Sequence, residues 1–366
     1  MESIQEKIDE LLEREGIPAC SILVADKHGE LWRASFGDAD LETQFHYFSG
    51  TKLYTANAIL KPADQHKLRL SDDVSKHLPE MGDLEGITIQ HLLCHSSGLT
   101  DTLSAFVSAN FQSTSKPSTL QALNKYNIKR ARAPGKLSSY ANVNYAILGL
   151  VIEKVGGKSY SDFITEQVLK PLGSNACFSF RDATDLTTGR IGYWNSIASK
   201  LVMDAAQYKL MFENSRPIPA GHRGAGLYSL ADFDVDSEAI GGLVGTVEDF
   251  APLMIEVLKY AGIGSVETTD KPKCVSREGI QRSVQKQCNG QVGVCSKDGA
   301  GLGWKMGCGF INHEGGGPGF TSETRCYLDD GIGVVILMNR WSVNHSECTI
   351  CHNICELIRK SGFFKR

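Results

Sequence analysis

Strand-forming segments lie at both ends of this chain, and helix-forming segments fill its middle. Near the N-terminus, residues 20–25 and 30–36 form two apolar runs around the turn Asp26-Lys27-His28-Gly29. Near the C-terminus, three more runs predict strands at 307–313, 322–328 and 332–338. Strands so far apart in sequence can share one antiparallel sheet if the helical middle is an insertion. We therefore predict an α+β fold whose antiparallel sheet is built from both chain termini.

Amphipathic segments at 2–15 and about 346–360 predict terminal helices that flank this sheet. The predicted division is a sheet domain formed by 1–58 and 245–366, with a mostly helical domain at 59–244 inserted between its two parts. Residues 180–240 are Gly-rich and irregular, and no element is assigned to them. A cleft between two such domains is a natural ligand site, so we expect the active site there.

Composition excludes several classes of function. The 366 residues carry a net charge of −4 and no basic block, which argues against a nucleic-acid partner. Residues of the hydrophobic types make up 42% of the chain, but none of their runs approaches the roughly 20 residues that span a bilayer. The N-terminal stretch is too charged to resemble a secretory signal. A cytoplasmic protein without a membrane partner is predicted, and the oligomeric state stays open.

Eleven cysteines are a high count, and without a secretory signal we predict free thiols instead of a disulfide framework. The spacing of Cys348, Cys351 and Cys355 fits one apolar helix face better than a metal site with His352. The exposed thiols are predicted to be those in a polar, Gly- and Lys-rich stretch: Cys274, Cys288 and Cys295.

The first candidate for chemistry is the pair Ser49-x-x-Lys52. If a helix begins at Ser49, this spacing places the hydroxyl and the amine on one face, one turn apart. A lysine that is partly desolvated can be neutral and accept the serine proton. An N-cap serine beside a solvent-facing lysine would give the same spacing, so the catalytic interpretation needs support from elsewhere in the chain.

A second element is the turn at 134–142, which delivers Tyr140 and Asn142 just before a helix that begins near Val143. A tyrosine beside a lysine can relay a proton, because the positive field favours the phenolate. Asn142 can hydrogen-bond a lysine, a tyrosine or a substrate amide. A packed tyrosine and an N-cap asparagine are the alternative interpretation.

The third element is a glycine-rich turn that we predict at the end of the strand 307–313. Its residues are His313-Glu314-Gly315-Gly316-Gly317-Pro318-Gly319. Glycines let main-chain N–H groups approach a substrate closely, as an oxyanion hole requires. Such a segment is also typical of a plain hairpin turn.

Together these three elements resemble the serine β-lactamase and penicillin-binding-protein superfamily, on the class C-like branch that also contains carboxylesterases and D-aminopeptidases. Tyr140-Ala141-Asn142 resembles the class C form of the middle motif. Segments 68–80, 87–99, 241–249 and 301–304 are similar to further stretches of the family. The resemblance implies a β-lactamase/transpeptidase-like fold, an acyl-enzyme mechanism and no metal or organic cofactor.

By this resemblance Ser49 is the nucleophile and Lys52 assists its deprotonation. Tyr140 is the general base for acylation or the acid for the leaving group, and the division of roles between Tyr140 and Lys52 stays open. Asn142 positions the substrate and the Lys52 amine. The backbone N–H groups of Ser49 and Gly316 are expected to form the oxyanion hole.

The third motif departs from that of β-lactamases, which begins with lysine followed by threonine or serine. Here the motif reads His313-Glu314-Gly315, and histidine at its first position is similar to some esterases and D-aminopeptidases of the family. A mostly neutral histidine binds a substrate carboxylate less well than lysine does, and Glu314 adds a negative charge if it faces the cleft. Both changes argue against anionic β-lactams.

These observations predict a serine hydrolase acting on small esters or related amides, carboxylesterase-like. A D-amino-acid peptidase or amidase, a β-lactamase and an acyltransferase of the same fold are alternatives. A binding or assembly protein that keeps the fold without turnover is the alternative from another class.

Overall fold

The structure is a computed structural model. It describes residues 2–81, 84–100, 118–124, 128–179, 182–183, 185–192, 217–230, 235, 237–262, 270–342 and 346–362.

A seven-stranded antiparallel sheet forms the centre of the molecule, and both ends of the chain contribute to it. Its strands are β1 (Ala19–Asp26), β2 (Gly29–Gly37), β9 (Gly299–Ala300), β10 (Lys305–Gly307), β11 (Phe310–Gly317), β12 (Phe320–Tyr327) and β13 (Ile332–Met338). Their order across the sheet is β2-β1-β13-β12-β11-β10-β9. Shorter strands lie outside it: β3 (Phe45–His46), β4 (Leu99–Thr100), β5 (Lys129–Arg130), β6 (Arg190–Gly192), β7 (Leu227–Ser229), β8 (Val244–Gly245) and β14 (Arg340–Trp341).

Helices flank the sheet and fill the middle of the chain. In chain order they are α1 (Glu2–Arg14), α2 (Thr51–Asp64), α3 (Val74–His77), α4 (Ile89–Leu93), α5 (Thr119–Asn124), α6 (Asn142–Gly156), α7 (Tyr160–Ile164), α8 (Lys170–Leu172), α9 (Glu238–Gly241), α10 (Val247–Ala261), α11 (Arg277–Ser283) and α12 (Ser346–Lys360). A π-helical segment, Thr165–Leu169, joins α7 to α8.

The sheet is covered on both faces, because apolar residues alternate between two packed layers. On one face, α1 buries the stripe Ile4, Ile8 and Leu12 at i, i+4 spacing, and α12 packs beside it. On the other face α10 packs against β1 and β13, and the core continues into α2 and α6. Strand β13 is buried along its whole length, which is why it is an unbroken apolar run.

The predicted fold class is confirmed: an antiparallel sheet built from both termini, with flanking terminal helices. The proposed domain boundaries remain a prediction. Much of the 180–240 stretch, to which no element was assigned, lies outside the described residues. Its described part contains β6, β7 and the first residues of α9. Among the described helices, none combines the length and apolar character needed to cross a membrane.

One strand prediction was wrong in its bounds. The segment predicted as a single strand at 307–313 is divided by a turn at 308–309, where Gly309 has a φ of +78°. β11 then runs from Phe310 to Gly317, so the glycine-rich segment lies mostly inside a strand and the turn follows at Pro318 and Gly319.

All eleven cysteines are free, as predicted. Cys348, Cys351 and Cys355 lie on the buried face of α12. The predicted exposure of three thiols was wrong: Cys274 is buried, and Cys288 and Cys295 are half-buried. Cys274 packs into the main core, which its polar sequence neighbours did not reveal. The exposed thiol is Cys308, in the turn between β10 and β11.

Candidate active site

Ser49 lies in a tight turn, Phe48–Gly50, directly before α2. Phe48 adopts a left-handed φ of +46°, which is uncommon for a residue with a bulky side chain and stores backbone strain beside the serine. Neighbouring groups hold the turn in place. The Tyr47 ring stacks on Phe250 with centroids 3.7 Å apart, and the Tyr47 carbonyl accepts a hydrogen bond from Ser322 Oγ at 2.7 Å.

Lys52 stands one turn into the helical run and is completely buried. Its Nζ donates to Ser49 Oγ at 3.0 Å and to the carbonyl of Ile240 at 2.6 Å. The predicted i, i+3 geometry is therefore present, although α2 itself begins at Thr51 and Ser49 belongs to the preceding turn. A buried amine beside a hydroxyl is able to exchange a proton with it.

Tyr140 approaches Ser49 from the other side. Its phenol oxygen lies 2.7 Å from Ser49 Oγ and 3.3 Å from Asn142 Oδ1. Asn142 begins α6, so the tyrosine is held just ahead of a helix N-terminus. The nucleophile candidate thus has two proton-transfer partners within hydrogen-bond distance, one on each side.

Strand β11 runs against the Ser49 turn so closely that only glycine fits at position 315. A Cβ on Gly315 would lie 2.4 Å from the Tyr47 carbonyl oxygen and 3.0 Å from the Ser49 backbone nitrogen. Gly316 follows it and is partly exposed, unlike its neighbours in the strand. The glycines therefore serve a close approach between two backbone segments, and not a turn.

Two neutral histidines pack around the Tyr140 ring. His313 is fully buried 6.3 Å from that ring, and its Nδ1 donates to the Glu314 carbonyl at 2.9 Å. His95 lies 4.5 Å from the ring and accepts at Nδ1 from the Ala141 N–H. Burial, together with the nearby Lys305 and Lys52 ammonium groups, holds the pKa of both histidines well below its ordinary value.

Sequence reasoning missed Lys305. This residue is 5% exposed, and its Nζ lies 4.5 Å from the centre of the Tyr140 ring and 3.1 Å from Glu314 Oε1. Nothing in the motif spacing marks it, because the pairing of β10 with β11 brings it to the site. It directly follows the family-like segment 301–304, which is the one signal that could have drawn attention to it.

Glu314 does not stand alone in the site. Its Oε1 accepts from the Val294 N–H at 3.1 Å, and its Oε2 accepts from Asn312 Nδ2 at 3.2 Å. Although burial opposes its ionisation, the Lys305 ammonium and backbone N–H donors, including that of Val294, hold the pKa of Glu314 below its ordinary value. The carboxylate is thus charged and matched by the Lys305 ammonium.

Within the described residues, no group of three or more His, Cys, Asp or Glu side chains is arranged to hold a metal ion. The groups that surround Ser49 are instead a lysine, a tyrosine, an asparagine and backbone amides. Such a set suits nucleophilic and acid–base chemistry at a carbonyl group.

The Beta-lactamase family model matches residues 4–352, and the chain belongs to this family. Protein flp of Staphylococcus aureus strain MRSA252 is 34% identical over 194 residues, which cover 46% of this chain but only 37% of that protein. The chain thus matches well under half the length of this curated relative.

Two solved structures share the fold over almost their whole length. The D-amino acid amidase from Ochrobactrum anthropi SV3, complexed with D-phenylalanine, superposes with a TM-score of 0.75 at 15% identity, covering 98% of this chain and 99% of that one. EstCE1, a hydrolase with promiscuous acyltransferase activity, gives a TM-score of 0.71 at 20% identity, with 98% of both chains covered. The family match and these superpositions together place the chain in the Beta-lactamase family and in the fold that these two structures share.

Proposed function

We propose that this protein is a serine hydrolase that cleaves small neutral esters through an acyl-enzyme at Ser49. One observation carries the proposal: Ser49 Oγ lies 3.0 Å from Lys52 Nζ and 2.7 Å from the Tyr140 phenol oxygen. A serine hydroxyl is a weak nucleophile until a positioned base takes its proton, and here two candidates flank it.

The proposed reaction uses the groups in sequence. Ser49 Oγ attacks the ester carbonyl while its proton passes to the Lys52–Tyr140 pair. The backbone N–H groups of Ser49 and Gly316 hold the negative oxygen of the tetrahedral intermediate. The same pair returns the proton to the departing alcohol, which leaves the acyl group on Ser49. Water then attacks the acyl-enzyme by the same route, and the free acid departs.

The charges around the site favour a neutral substrate. His313, where β-lactamases carry a lysine, is buried and neutral, because its pKa is well below its ordinary value. The Lys305 ammonium is already engaged by the Glu314 carboxylate at 3.1 Å. A substrate carboxylate would therefore compete with Glu314 for its cation, which disfavours anionic β-lactams.

The test is the hydrolysis of p-nitrophenyl butyrate by the wild type and by Ser49→Ala, with Ser71→Ala, an exposed serine outside the site, as the matched control. We expect Ser49→Ala to fall to the rate of the buffer blank and Ser71→Ala to keep the wild-type rate. Equal rates in folded wild type and Ser49→Ala would refute the proposal and favour the non-catalytic alternative.

A covalent probe adds a test that is independent of turnover. A neutral fluorophosphonate should add one adduct to the wild type, located at Ser49 by peptide mass spectrometry, and none to Ser49→Ala.

Two further assays separate the amidase and acyltransferase alternatives from an esterase. Hydrolysis of D-amino acid amides tests the amidase, and transfer of the acyl group to an added alcohol tests the acyltransferase.

A further inference from the structure

The ring of Tyr140 lies between two ammonium groups that come from different parts of the fold. Lys52 Nζ, from the nucleophile's helix, is 5.2 Å from the ring centre. Lys305 Nζ, from the edge region of the sheet, is 4.5 Å from the same point. Both lysines are buried, so their fields are only weakly screened by solvent.

We propose that Lys305 is a positioning residue that favours the Tyr140 phenolate, and that Glu314 holds its ammonium against the ring. This inference rests on the proposed serine hydrolase function and names the residue that tunes its base. Lys305 would supply, from strand β10, a positive charge that neutral His313 does not supply from β11.

The contacts of Lys305 suit this role. Its Nζ is fixed by the ion pair with Glu314, whose carboxylate is itself held by the Val294 N–H and by Asn312. A flexible lysine side chain is thereby held in one place. A cation over an aromatic ring is attracted to it, and the attraction grows when the phenol loses its proton.

The other groups that face Tyr140 do not duplicate this charge. His95 and His313 pack against the ring, and burial keeps both neutral. Asn142 contacts the phenol oxygen and carries no charge. Tyr145 is fully buried, and burial raises its pKa well above the ordinary value, so it stays protonated. Among the described residues, Lys52 and Lys305 bring charge to the ring, and Glu314 acts on it through its ion pair with Lys305.

The proton inventory of the step is simple. The phenolate takes the proton of Ser49 Oγ as the oxygen–carbonyl bond forms, and it gives that proton to the alkoxide as the ester bond breaks. The base must therefore be deprotonated before the step, so kcat/KM rises with pH along an ascending limb. Removing a nearby positive charge moves this limb to higher pH, and removing a nearby negative charge moves it to lower pH.

The experiment records the pH profile of kcat/KM for the wild type, Lys305→Met, Lys305→Arg and Glu314→Gln. We expect the ascending limb of Lys305→Met to move up by about one to two pH units. The limb of Glu314→Gln should move down, because the Gln amide oxygen can still accept from Lys305 Nζ while the negative charge is lost. Lys305→Arg should stay within a few tenths of a unit of the wild type because it keeps the positive charge. A purely structural role would lower the rate of these variants without moving the limb in opposite directions.

Lys305→Met leaves Glu314 buried without its cation and is the variant at greatest risk of misfolding. The double variant Lys305→Met/Glu314→Gln removes both charges and should restore folding, with a limb closer to that of the wild type. If Lys305→Met does not fold, the direction of the Glu314→Gln limb decides. An unmoved or raised limb in that variant overturns the inference.

The rate of fluorophosphonate labelling at Ser49 is followed over the same pH range, so that the two proposals fail separately. A wild type that is not labelled refutes the serine hydrolase proposal. A wild type that is labelled, with the same limb in Lys305→Met and Glu314→Gln, refutes only the role of Lys305.

Discussion

The two faces of strands β11 and β12 make different kinds of contact. On the face toward Ser49, the contacts are between small or neutral groups: Gly315 against the Tyr47 carbonyl, Ser322 Oγ on that same carbonyl, and Thr324 with the Tyr47 phenol. The opposite face, toward α12, carries charges. Arg325 Nε donates to Glu323 Oε1 at 2.9 Å, and Asn312 links Glu323 to Glu314.

The difference shows that close steric packing and buried charges are kept on opposite faces of one sheet. The front face admits the Ser49 turn at a distance that tolerates no side chain, while the rear face matches each buried charge with an opposite one. Lys305 belongs to the rear network through Glu314 but places its ammonium beside Tyr140. It is therefore the point at which the two faces meet.

The largest effect that we expect is a loss of stability when a charge is removed from the rear face of the sheet, which faces α12. Arg325→Met would leave Glu323 buried without its cation and should lower the free energy of unfolding by about 3–5 kcal/mol. Lys76→Met, which breaks an exposed pair with Asp72, should cost less than about 1 kcal/mol. Denaturant titration measures both.

The activity of the folded Arg325→Met protein tests whether the two faces are separate. We expect a kcat/KM near that of the wild type below the unfolding transition. A large loss of activity with unchanged stability would contradict the division of roles.

A smaller effect is expected on the front face. Gly315→Ala introduces a Cβ only 2.4 Å from the Tyr47 carbonyl oxygen, well inside van der Waals contact, so β11 or the Ser49 turn must shift. A displacement of this kind at a reacting group should lower kcat/KM by about 10²-fold. Gly173→Ala is the control. Its φ of +79° makes alanine unfavourable there too, but no atom lies within 4 Å of the added Cβ, so this variant carries backbone strain without a clash at the site. Wild-type activity in Gly315→Ala would show that the close approach is not needed.

The smallest effect concerns the buried neutral histidines, His95 and His313. Their pKa values in the folded protein are well below about 6.5, the ordinary value that they regain on unfolding. Below about pH 6.5 the two imidazoles therefore bind protons in the unfolded chain but not in the folded protein. The free energy of unfolding falls as the pH falls through this range, and above about pH 6.5 these two groups no longer change it.

Each histidine should contribute about 1.4 kcal/mol per pH unit to this slope. His313→Gln and His95→Gln should each reduce it by that amount, measured as the free energy of unfolding between pH 5 and 7.5. The exposed His28→Gln is the control. An unchanged slope in His313→Gln would mean that this ring takes up a proton in the folded protein.

Short-range patterns in the sequence predicted much of this molecule. The spacing of Ser49 and Lys52, and the turn before α6 that carries Tyr140, were visible because each depends on residues close together in sequence. The sheet from both termini was likewise predicted from apolar runs. The glycines of β11 were misinterpreted as a turn because composition does not reveal which backbone a strand must approach. Lys305 was missed because its position depends on strand register between β10 and β11.

The setting of Ser49 also bears on how the protein loses function with heat. The residue before it, Phe48, keeps an unfavourable backbone angle, and Tyr47 is fastened at its ring by Phe250 of α10 and at its carbonyl by Ser322 of β12. Ser49, the proposed nucleophile, is thus anchored through its neighbour Tyr47 to α10 and to β12. We therefore expect activity to be lost on heating at the same temperature at which the whole protein unfolds. A change that stabilises the core against heat should preserve activity to the same extent.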